Sequence, residues 1–364
     1  MGGARFWKAP VALSSLGCAD VSRMVATRTI TVKPKLMFVV NTDQFFMSHR
    51  FPLAVAAMRE GFEVHVASRL TDREQEMRSA GLIVHPLDIE RRNAGVLSNS
   101  RTFGQLVRLF KTERPEIVHL VTIKPVLLGG LAARLADIRA VIAAVSGLGF
   151  IFLSQGLAAT LRRSLISLLY MMVFSHPNLR VIFQNRDDFV SLVKRTRLSS
   201  EKALLIEGVG VDLVSYPFST LPSTEPVIML AARLLVDKGV REFVHAARLF
   251  KASGNRARFV LVGAVDPGNP ATIKEEECQH WLTEGIVELW GHCADMSATL
   301  AKAHIIVLPS YREGLPKVLI EAAACGRPVI TSDVPGCRDA IEEDKSGLLV
   351  PSHDAGALFE AIVR

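Results

Sequence analysis

The sequence has few of the residues that hold small secreted domains together or that read nucleic acids. Its 364 residues contain five cysteines, none in a Cys-x-x-Cys pair, and aromatic residues make up only 7%. An odd number of dispersed cysteines argues against a disulfide framework and against a zinc site, and it indicates a reducing compartment. The shortage of aromatic residues, without helix-turn-helix or zinc-finger spacing, argues against a nucleic-acid partner.

Three longer patterns are also missing. No uninterrupted apolar run approaches the roughly 20 residues of a membrane span, although the mean hydropathy is high at +0.28. No Gly-x-Gly-x-x-Gly follows a predicted strand, which disfavours a Rossmann dehydrogenase. No Asp-x-Asp pair occurs anywhere in the chain.

The charge of the chain is unevenly distributed. Residues 1–215 hold 28 Lys and Arg against 17 Asp and Glu, whereas residues 216–364 hold 15 against 19. A basic half beside a mildly acidic half indicates that the first half meets an anionic membrane surface or a phosphate-bearing substrate.

Short apolar runs alternate with helical patterns throughout the chain, which is typical of parallel α/β sheets. We predict two doubly wound Rossmann-like domains of the α/β class that face each other across a cleft. The predicted segments are a disordered leader (1–35), an acceptor-binding domain (36–215), a proline-rich linker (216–226) and a donor-binding domain (227–364). Because a helical pattern runs to the last residue, we expect the C-terminal end to be cut short.

Two loops of the second half carry candidate ligand-binding residues. Arg233 and Lys238 follow one predicted strand and precede a helix start, where paired cations suit a pyrophosphate. The alternative is that both cations lie in a solvated loop and form a surface salt bridge. Gly263 and His292 each follow a strand and indicate either a ligand contact or an ordinary turn.

The stretch from Ser310 to Gly326 places Glu313 and Glu321 on either side of a predicted helix start, with seven residues between them. We expect Pro316 to be the first helical residue and Gly314 to allow close approach of a ligand. Two carboxylates around free N–H donors suit a polyhydroxylated ligand that also carries phosphate. The alternative is that Glu313 is only a charge near the helix start and that Glu321 is a surface residue.

This stretch, with "EGLP" and "EAAACGRPVITSDVPGCRD", resembles the retaining, nucleotide-sugar-dependent glycosyltransferases of the GT-B fold, family four. "ARLLVDKG" resembles the pyrophosphate loop of the same family. The resemblance implies that Glu321 binds the donor ribose, that Glu313 holds the transferred sugar, and that Arg233 and Lys238 neutralise the diphosphate. It also implies that three residues shape the loop facing the sugar and phosphate: Gly314, Leu315 and Pro316.

The missing Asp-x-Asp motif fits this resemblance, which implies transfer without a metal or other cofactor. It further implies that the leaving phosphate accepts the acceptor's proton on the same face of the sugar. "FVVNTDQFFMSHRFPLAVAAMREGFEVHVAS" and "VHLVTIKPVLLGGLAARL" resemble a subgroup that extends bacterial lipid-linked oligosaccharides. The implied donor is a UDP-N-acetylhexosamine, and the implied acceptor is a polyprenyl-diphosphate-linked saccharide.

The first domain departs from many relatives in two loops. Asn41–Asp43 stands where they have a glycine pair, and Val121 stands where they have a second histidine. Four residues become acceptor-side candidates: Asp43, His49, Thr122 and Lys124. The alternative for Lys124 is an ordinary loop cation, and the alternative for His49 is a helix cap. We interpret His119 as a core histidine whose hydrogen bonds are satisfied.

The apolar stretch 157–174, which contains two arginines, predicts either an interfacial helix at the inner face of the bacterial cytoplasmic membrane or an ordinary core helix. Two competing functions are a UDP-sugar 2-epimerase of the same fold and a non-catalytic sugar-nucleotide or membrane-binding protein. A lipid acceptor distinguishes the transferase from both, since the epimerase reacts with soluble sugar nucleotide alone.

Overall fold

Two parallel β-sheets organise the residues that the computed structural model describes, which are 33–89, 95–147, 157–266 and 269–364. The predicted leader lies outside these residues up to position 32. The prediction of an α/β architecture with two doubly wound units is confirmed. The sheets occupy separate parts of the chain, on either side of the predicted linker.

The first sheet has seven described strands in the order β3-β2-β1-β4-β5-β6-β7, all parallel. Its strands are β1 (Lys35–Thr42), β2 (Glu63–Arg69), β3 (Ile83–Pro86), β4 (Ile117–Val121), β5 (Ala140–Val145), β6 (Leu179–Phe183) and β7 (Ala203–Leu205).

The second sheet has six described strands in the order β10-β9-β8-β11-β12-β13, again all parallel. These are β8 (Val227–Ala231), β9 (Arg258–Val262), β10 (Glu288–Gly291), β11 (Ile305–Leu308), β12 (Val329–Ser332) and β13 (Gly347–Val350). Every residue of β8 is buried, as expected of a central strand covered on both faces.

Helices cover both faces of each sheet. The first domain contains α1 (Asp43–His49), α2 (Phe51–Arg59), α3 (Glu74–Ser79), α4 (Val96–Glu113), α5 (Gly130–Leu135), α6 (Leu157–Phe174) and α7 (Arg186–Thr196). The second contains α8 (Val240–Ala252), α9 (Glu275–Thr283), α10 (Met296–Leu300), α11 (Lys317–Ala324) and α12 (Ala355–Val363).

The order of the strands determines where a ligand meets each sheet. In both sheets the chain reverses its direction of winding between two central neighbours, β1 and β4 in the first and β8 and β11 in the second. Ligands of open α/β sheets bind at the carboxyl ends of the strands beside this reversal. The loops after β8 and β11, which carry the predicted ligand-binding residues, therefore lie at the carboxyl ends of the strands beside this reversal.

Three local details differ from the predicted elements. The sequence 49–61 has a helical pattern that predicts a helix from His49, but the helix begins at Phe51, because Pro52 cannot continue α1 and instead opens α2. Pro316 is not the first helical residue: its ψ of 116° is extended, and α11 begins at Lys317. A single π-helical turn, Pro125–Gly129, precedes α5.

The predicted linker packs on the second domain. The buried Arg327 guanidinium donates hydrogen bonds to the Ser219 hydroxyl and to the Thr220 carbonyl oxygen. His304 contacts the Pro222 carbonyl oxygen at 3.0 Å through its Nε2 atom. These contacts hold the linker against the second domain.

Candidate active site

The loop between β11 and α11 touches both domains. Asn185 of the first domain donates a hydrogen bond of 2.8 Å to the carbonyl oxygen of Gly314. A Cβ atom at Gly314 would lie 2.8 Å from Gln184 Oε1 and 2.9 Å from the Ser146 carbonyl oxygen. The glycine therefore allows the two domains to meet at this loop, a role that the sequence analysis assigned to ligand approach.

Neighbouring side chains add ion pairs between the domains. Arg312 pairs with the fully buried Asp188, and Arg338 lies 3.3 Å from Asp187. Both aspartates belong to the first turn of α7, where carboxylates also favour the helix start. The loop after β11 is thus held from the first domain by charge as well as by close packing.

Lys238 and Glu313 form an ion pair at the carboxyl edge of the second sheet. Glu313 also accepts a hydrogen bond of 2.8 Å from the Ser310 hydroxyl. Both charged side chains are mostly enclosed, with 16% of the lysine and 13% of the glutamate exposed. Gly239, at a φ of 70°, allows this approach because any side chain there would overlap the backbone of Pro309.

Arg233 lies apart from that pair. Its guanidinium is 44% exposed and binds the Asp266 carboxylate at 3.0 Å, in the loop that follows β9. The structure thus brings together two of the three predicted catalytic residues and ties the third to a neighbouring loop. A diphosphate would compete with Asp266 for this guanidinium.

Glu321 is buried inside α11 and has two partners. Lys317, one helical turn earlier, places its ammonium nitrogen 2.6 Å from the Glu321 carboxylate and 5.6 Å from the centre of the Tyr216 ring. Burial and the hydrogen bond to Glu321 raise the pKa of Tyr216. Neither partner was among the predicted site residues, although the (i, i+4) spacing of Lys317 and Glu321 predicts their pairing.

The other donor-side candidates have structural neighbours. Leu315 packs against Gly208 of the first domain. Gly263 has a φ of 141°, and its N–H donates to the Gly291 carbonyl oxygen at 2.8 Å. A side chain at Gly263 would overlap the Ala232 carbonyl oxygen, which explains the glycine without a ligand. His292 is exposed beyond the edge strand β10 and does not join the pair at the sheet centre.

Asp43 is fully buried and binds its own domain. Its carboxylate accepts hydrogen bonds from the Thr71 N–H and hydroxyl and from the Asp72 and Arg73 N–H groups, at 2.6–3.1 Å. Burial alone favours the protonated form, but hydrogen bonds from Thr71, Arg73 and Gln44 lower the pKa of Asp43 below its usual value. This arrangement fixes the 71–73 loop.

His49 lies at the end of α1, stacked on Phe45 with ring centres 4.2 Å apart. Burial and the charges of Arg50 and Lys317 lower the pKa of His49 to about 4. The imidazole is therefore neutral at physiological pH. Since Lys317 belongs to the second domain, the histidine faces the cleft.

Thr122 and Lys124 occupy an unusual loop after β4. Thr122 has a φ of 75°, which is strained for a β-branched residue, and its buried hydroxyl has no hydrogen-bond partner among the described residues. Lys124 directly precedes the π-helical turn. Strained backbone and π turns are both frequent at functional sites.

A groove of about 1310 Å³ runs along one face of the first sheet towards the cleft. Its wall is largely apolar, and five cationic or imidazole groups line it: His49, Arg50, Arg59, His119 and Lys317. His119 forms part of the wall, stacked on Phe38 at 5.1 Å, and burial followed by the charge of Arg50 lowers its pKa to about 3. The interpretation of His119 as a satisfied histidine is wrong in one respect, because its buried Nε2 has no partner in the described part of the chain.

Comparison with known proteins matches both halves of the chain. Residues 225–364 match the family described as "Glycosyl transferases group 1", and residues 35–176 match "Glycosyl transferase 4-like". A Campylobacter jejuni protein named N,N'-diacetylbacillosaminyl-diphospho-undecaprenol alpha-1,3-N-acetylgalactosaminyltransferase is 30% identical over 339 residues, covering 87% of each chain. An Escherichia coli UDP-Gal:alpha-D-GlcNAc-diphosphoundecaprenol alpha-1,3-galactosyltransferase is 25% identical, covering 75% of this chain and 72% of the relative.

Solved structures match the fold over nearly the whole chain. Anabaena HepE, solved in complex with UDP and glucose, superposes with a TM-score of 0.71 at 17% identity, covering 91% of this chain and 89% of HepE. WaaG, a glycosyltransferase of lipopolysaccharide biosynthesis, superposes with a TM-score of 0.67 at 15% identity and 90% coverage of both chains. The two sheets, the cleft and the two family matches agree with each other, and the chain belongs to the GT-B glycosyltransferases of family four.

Proposed function

We propose that this glycosyltransferase moves an N-acetylhexosamine from a UDP-sugar to a polyprenyl-diphosphate-linked saccharide during assembly of a bacterial surface glycan. The enclosed Lys238–Glu313 pair at the carboxyl edge of the second sheet is the observation that carries the proposal. The Campylobacter and Escherichia relatives, whose names specify diphospho-undecaprenol acceptors, support the choice of acceptor.

The donor-side residues have separate roles in this proposal. Glu313 holds hydroxyl groups of the transferred sugar, and Lys238 with Arg233 stabilises the negative charge that develops on the diphosphate. Glu321 accepts hydrogen bonds from the ribose hydroxyls, and Lys317 orients that carboxylate through their ion pair. The first N–H groups of α11 point towards the same ligand.

Transfer in this proposal retains the anomeric configuration and needs no metal. The cations of the loop after β8 and the helix starts beside it supply the positive charge that a metal would otherwise provide. The leaving phosphate takes the proton of the acceptor hydroxyl as the new glycosidic bond forms on the same face.

The acceptor side uses the first domain. Thr122 and Lys124 follow β4, His49 ends α1, and Lys124 supplies a cation for the acceptor diphosphate. Asp43 has a supporting role in this proposal, because its hydrogen bonds fix the 71–73 loop of the same domain.

Helix α6 is proposed to contact the inner face of the cytoplasmic membrane. Leu165, Leu168 and Met172 follow one face of this helix and are 58%, 49% and 42% exposed. Across the described residues, no helix is long and apolar enough to cross a membrane. Changing Leu165 and Leu168 to Glu should abolish flotation with anionic vesicles, while Val363→Glu on α12 should not. Equal flotation of the parent protein, the variant with Leu165 and Leu168 changed to Glu, and Val363→Glu would contradict this contact.

A donor panel tests the proposed reaction. UDP-GlcNAc, UDP-GalNAc, UDP-glucose and GDP-mannose would each be incubated with bacterial lipid extract, with labelled lipid as the readout and the anomeric configuration read by NMR. We expect a UDP-N-acetylhexosamine to label lipid with retention, and excess chelator to leave the rate unchanged. Inversion, or a lost rate restored by Mg²⁺ or Mn²⁺, would contradict the mechanism. Conversion of free UDP-sugar to its 2-epimer would instead support the epimerase.

A further inference from the structure

A cluster of metal-ligating side chains lies away from the cleft, near the amino-terminal ends of the first sheet. His65 on β2, His85 on β3 and Glu113 at the end of α4 each direct one ligand atom to a common point, and these atoms lie within 4.8 Å of one another. We propose that these three residues bind one Zn²⁺ ion that ties α4 to strands β2 and β3.

The distances fit a single ion. His65 Nδ1 lies 2.9 Å from His85 Nε2 and 3.9 Å from Glu113 Oε2. Two ligand atoms at tetrahedral angles around zinc stand roughly 3.3 Å apart, given Zn–N and Zn–O distances near 2.1 Å. These two separations bracket that value, and all three ligand atoms lie within 4.8 Å of one another, so rotation of the partly buried His85 and Glu113 side chains closes them around an ion. Three protein ligands leave a fourth position for water.

The neighbours of His65 prepare it to bind a metal. Its Nε2 lies 2.9 Å from Glu63 Oε1, and a hydrogen bond donated there leaves the lone pair of Nδ1 directed at the site. His65 is 1% exposed and its ring lies parallel to that of His85, with ring centres 5.2 Å apart. In the metal-free protein the His85 Nε2–H donates to His65 Nδ1. When zinc takes the place of that proton on Nε2, the proton moves to His85 Nδ1. His85 therefore stays neutral, and no net proton is released.

One side chain competes with the ion. The Lys35 ammonium lies 3.1 Å from Glu113 Oε2 and 3.6 Å from Glu63 Oε1. Lys35 is 28% exposed, and its flexible stem can move the charge into solvent when the ion binds. Zinc suits the mixed imidazole and carboxylate ligands, whereas Mg²⁺ and Ca²⁺ prefer oxygen alone. No sequence motif indicates this site, because its three ligands come from distant segments of the chain.

Titration of the chelator-stripped, full-length protein with ZnCl₂ tests the proposal, using calorimetry and the visible spectrum of Co²⁺ as a substitute. We expect one ion per chain, a rise in melting temperature, and at least tenfold weaker binding in His85→Ala and in Glu113→Gln. Lys35→Met should bind more tightly, because it removes the competing charge. His280→Ala is the matched control, since His280 forms an exposed pair with Glu284 at 3.1 Å.

Three results would overturn the site. They are failure of the parent protein to bind Zn²⁺, equal affinity in His85→Ala, or a cobalt spectrum with the charge-transfer band of thiolate ligands. His85 is partly exposed, and circular dichroism of His85→Ala separates lost binding from lost folding. The readouts are independent of sugar transfer, so the outcome does not depend on the proposed function.

Discussion

The two domains use polar residues in opposite ways. In the second domain, Lys238 and Glu313 meet at the sheet edge, and Lys317 and Glu321 form a neighbouring pair. In the first domain, Asp43 is directed inward to the 71–73 loop, and His119 stacks on Phe38 in a largely apolar wall. The second domain is organised by charge before any ligand binds, whereas the first domain offers mainly shape and apolar surface.

The largest expected effect tests the charge arrangement of the second domain. Glu313→Ala removes the proposed sugar contact and the partner of Lys238, so we expect kcat to fall roughly 10²–10³-fold, as for loss of one preorganised polar contact. Steady-state kinetics with saturating donor measures this. Glu277→Ala is the control, because it removes a carboxylate from a surface pair with Arg241. Near-normal turnover in Glu313→Ala would refute the assigned role.

The next effect tests the apolar wall of the first domain. Burial holds the pKa of His119 at about 3 in the folded protein, against 6.5 when unfolded. The unfolded chain therefore binds a proton that the folded chain rejects, and stability falls as pH drops from 6.5 towards 3. For this histidine the loss is about 2 kcal/mol at pH 5 relative to pH 7.

Urea unfolding at both pH values measures that loss. His119→Phe keeps a ring beside Phe38 without a titrating group, so its unfolding free energy should fall about 2 kcal/mol less than that of the parent protein. His49, with a pKa of about 4, contributes a similar pH dependence that remains in the variant. Identical pH dependence in the two proteins would show that His119 is not buried neutral.

A smaller effect separates the two glutamates of the second domain. Glu321→Ala removes the proposed ribose contact, which does not change during sugar transfer, so the KM for donor should rise about tenfold while kcat changes little. Lys317→Met should produce a weaker effect in the same direction, through loss of the charge that orients Glu321. A fall in kcat as large as that of Glu313→Ala would contradict the separation of roles.

The smallest expected effect tests the contact between the domains. Gly314→Ala places a methyl group 2.9 Å from the Ser146 carbonyl oxygen and 2.8 Å from Gln184, so closure becomes less favourable. We expect kcat/KM to fall about fivefold and the radius of gyration from small-angle scattering to increase. Gly104→Ala is the control, since a side chain there meets nothing within 4 Å. Unchanged scattering and kinetics would show that the contact is dispensable.

The sequence predicted the parts of the site that depend on local order. Lys238 and Glu313 follow two strands that flank the reversal of winding, so their approach follows from topology and strand ends alone. The bonds of Asp43 to Thr71–Arg73 and the contact of Gly314 with Ser146 join segments that no short-range pattern relates. The strained φ of Thr122 likewise depends on packing around it.

The extended backbone of Pro316 shows how accurately the first residue of a helix can be predicted from the sequence. The expectation that Pro316 is the first helical residue is wrong by one position, because its ψ of 116° makes it the residue before the helix. This difference of one position leaves the helical N–H groups of Lys317 and Val318 as the first of α11, so Lys317 contributes both a backbone donor and an ammonium group to the cleft.

The loop between β11 and α11 has a thermodynamic consequence. Glu313 belongs to the proposed donor site, while its neighbours Arg312 and Gly314 bind Asp188 and Asn185 of the first domain. Donor affinity and the equilibrium between separated and joined domains are therefore linked quantities. A ligand that favours the joined arrangement must tighten donor binding, and the donor must tighten that ligand by the same factor. Cooperation between donor and acceptor then needs no direct contact between the two substrates.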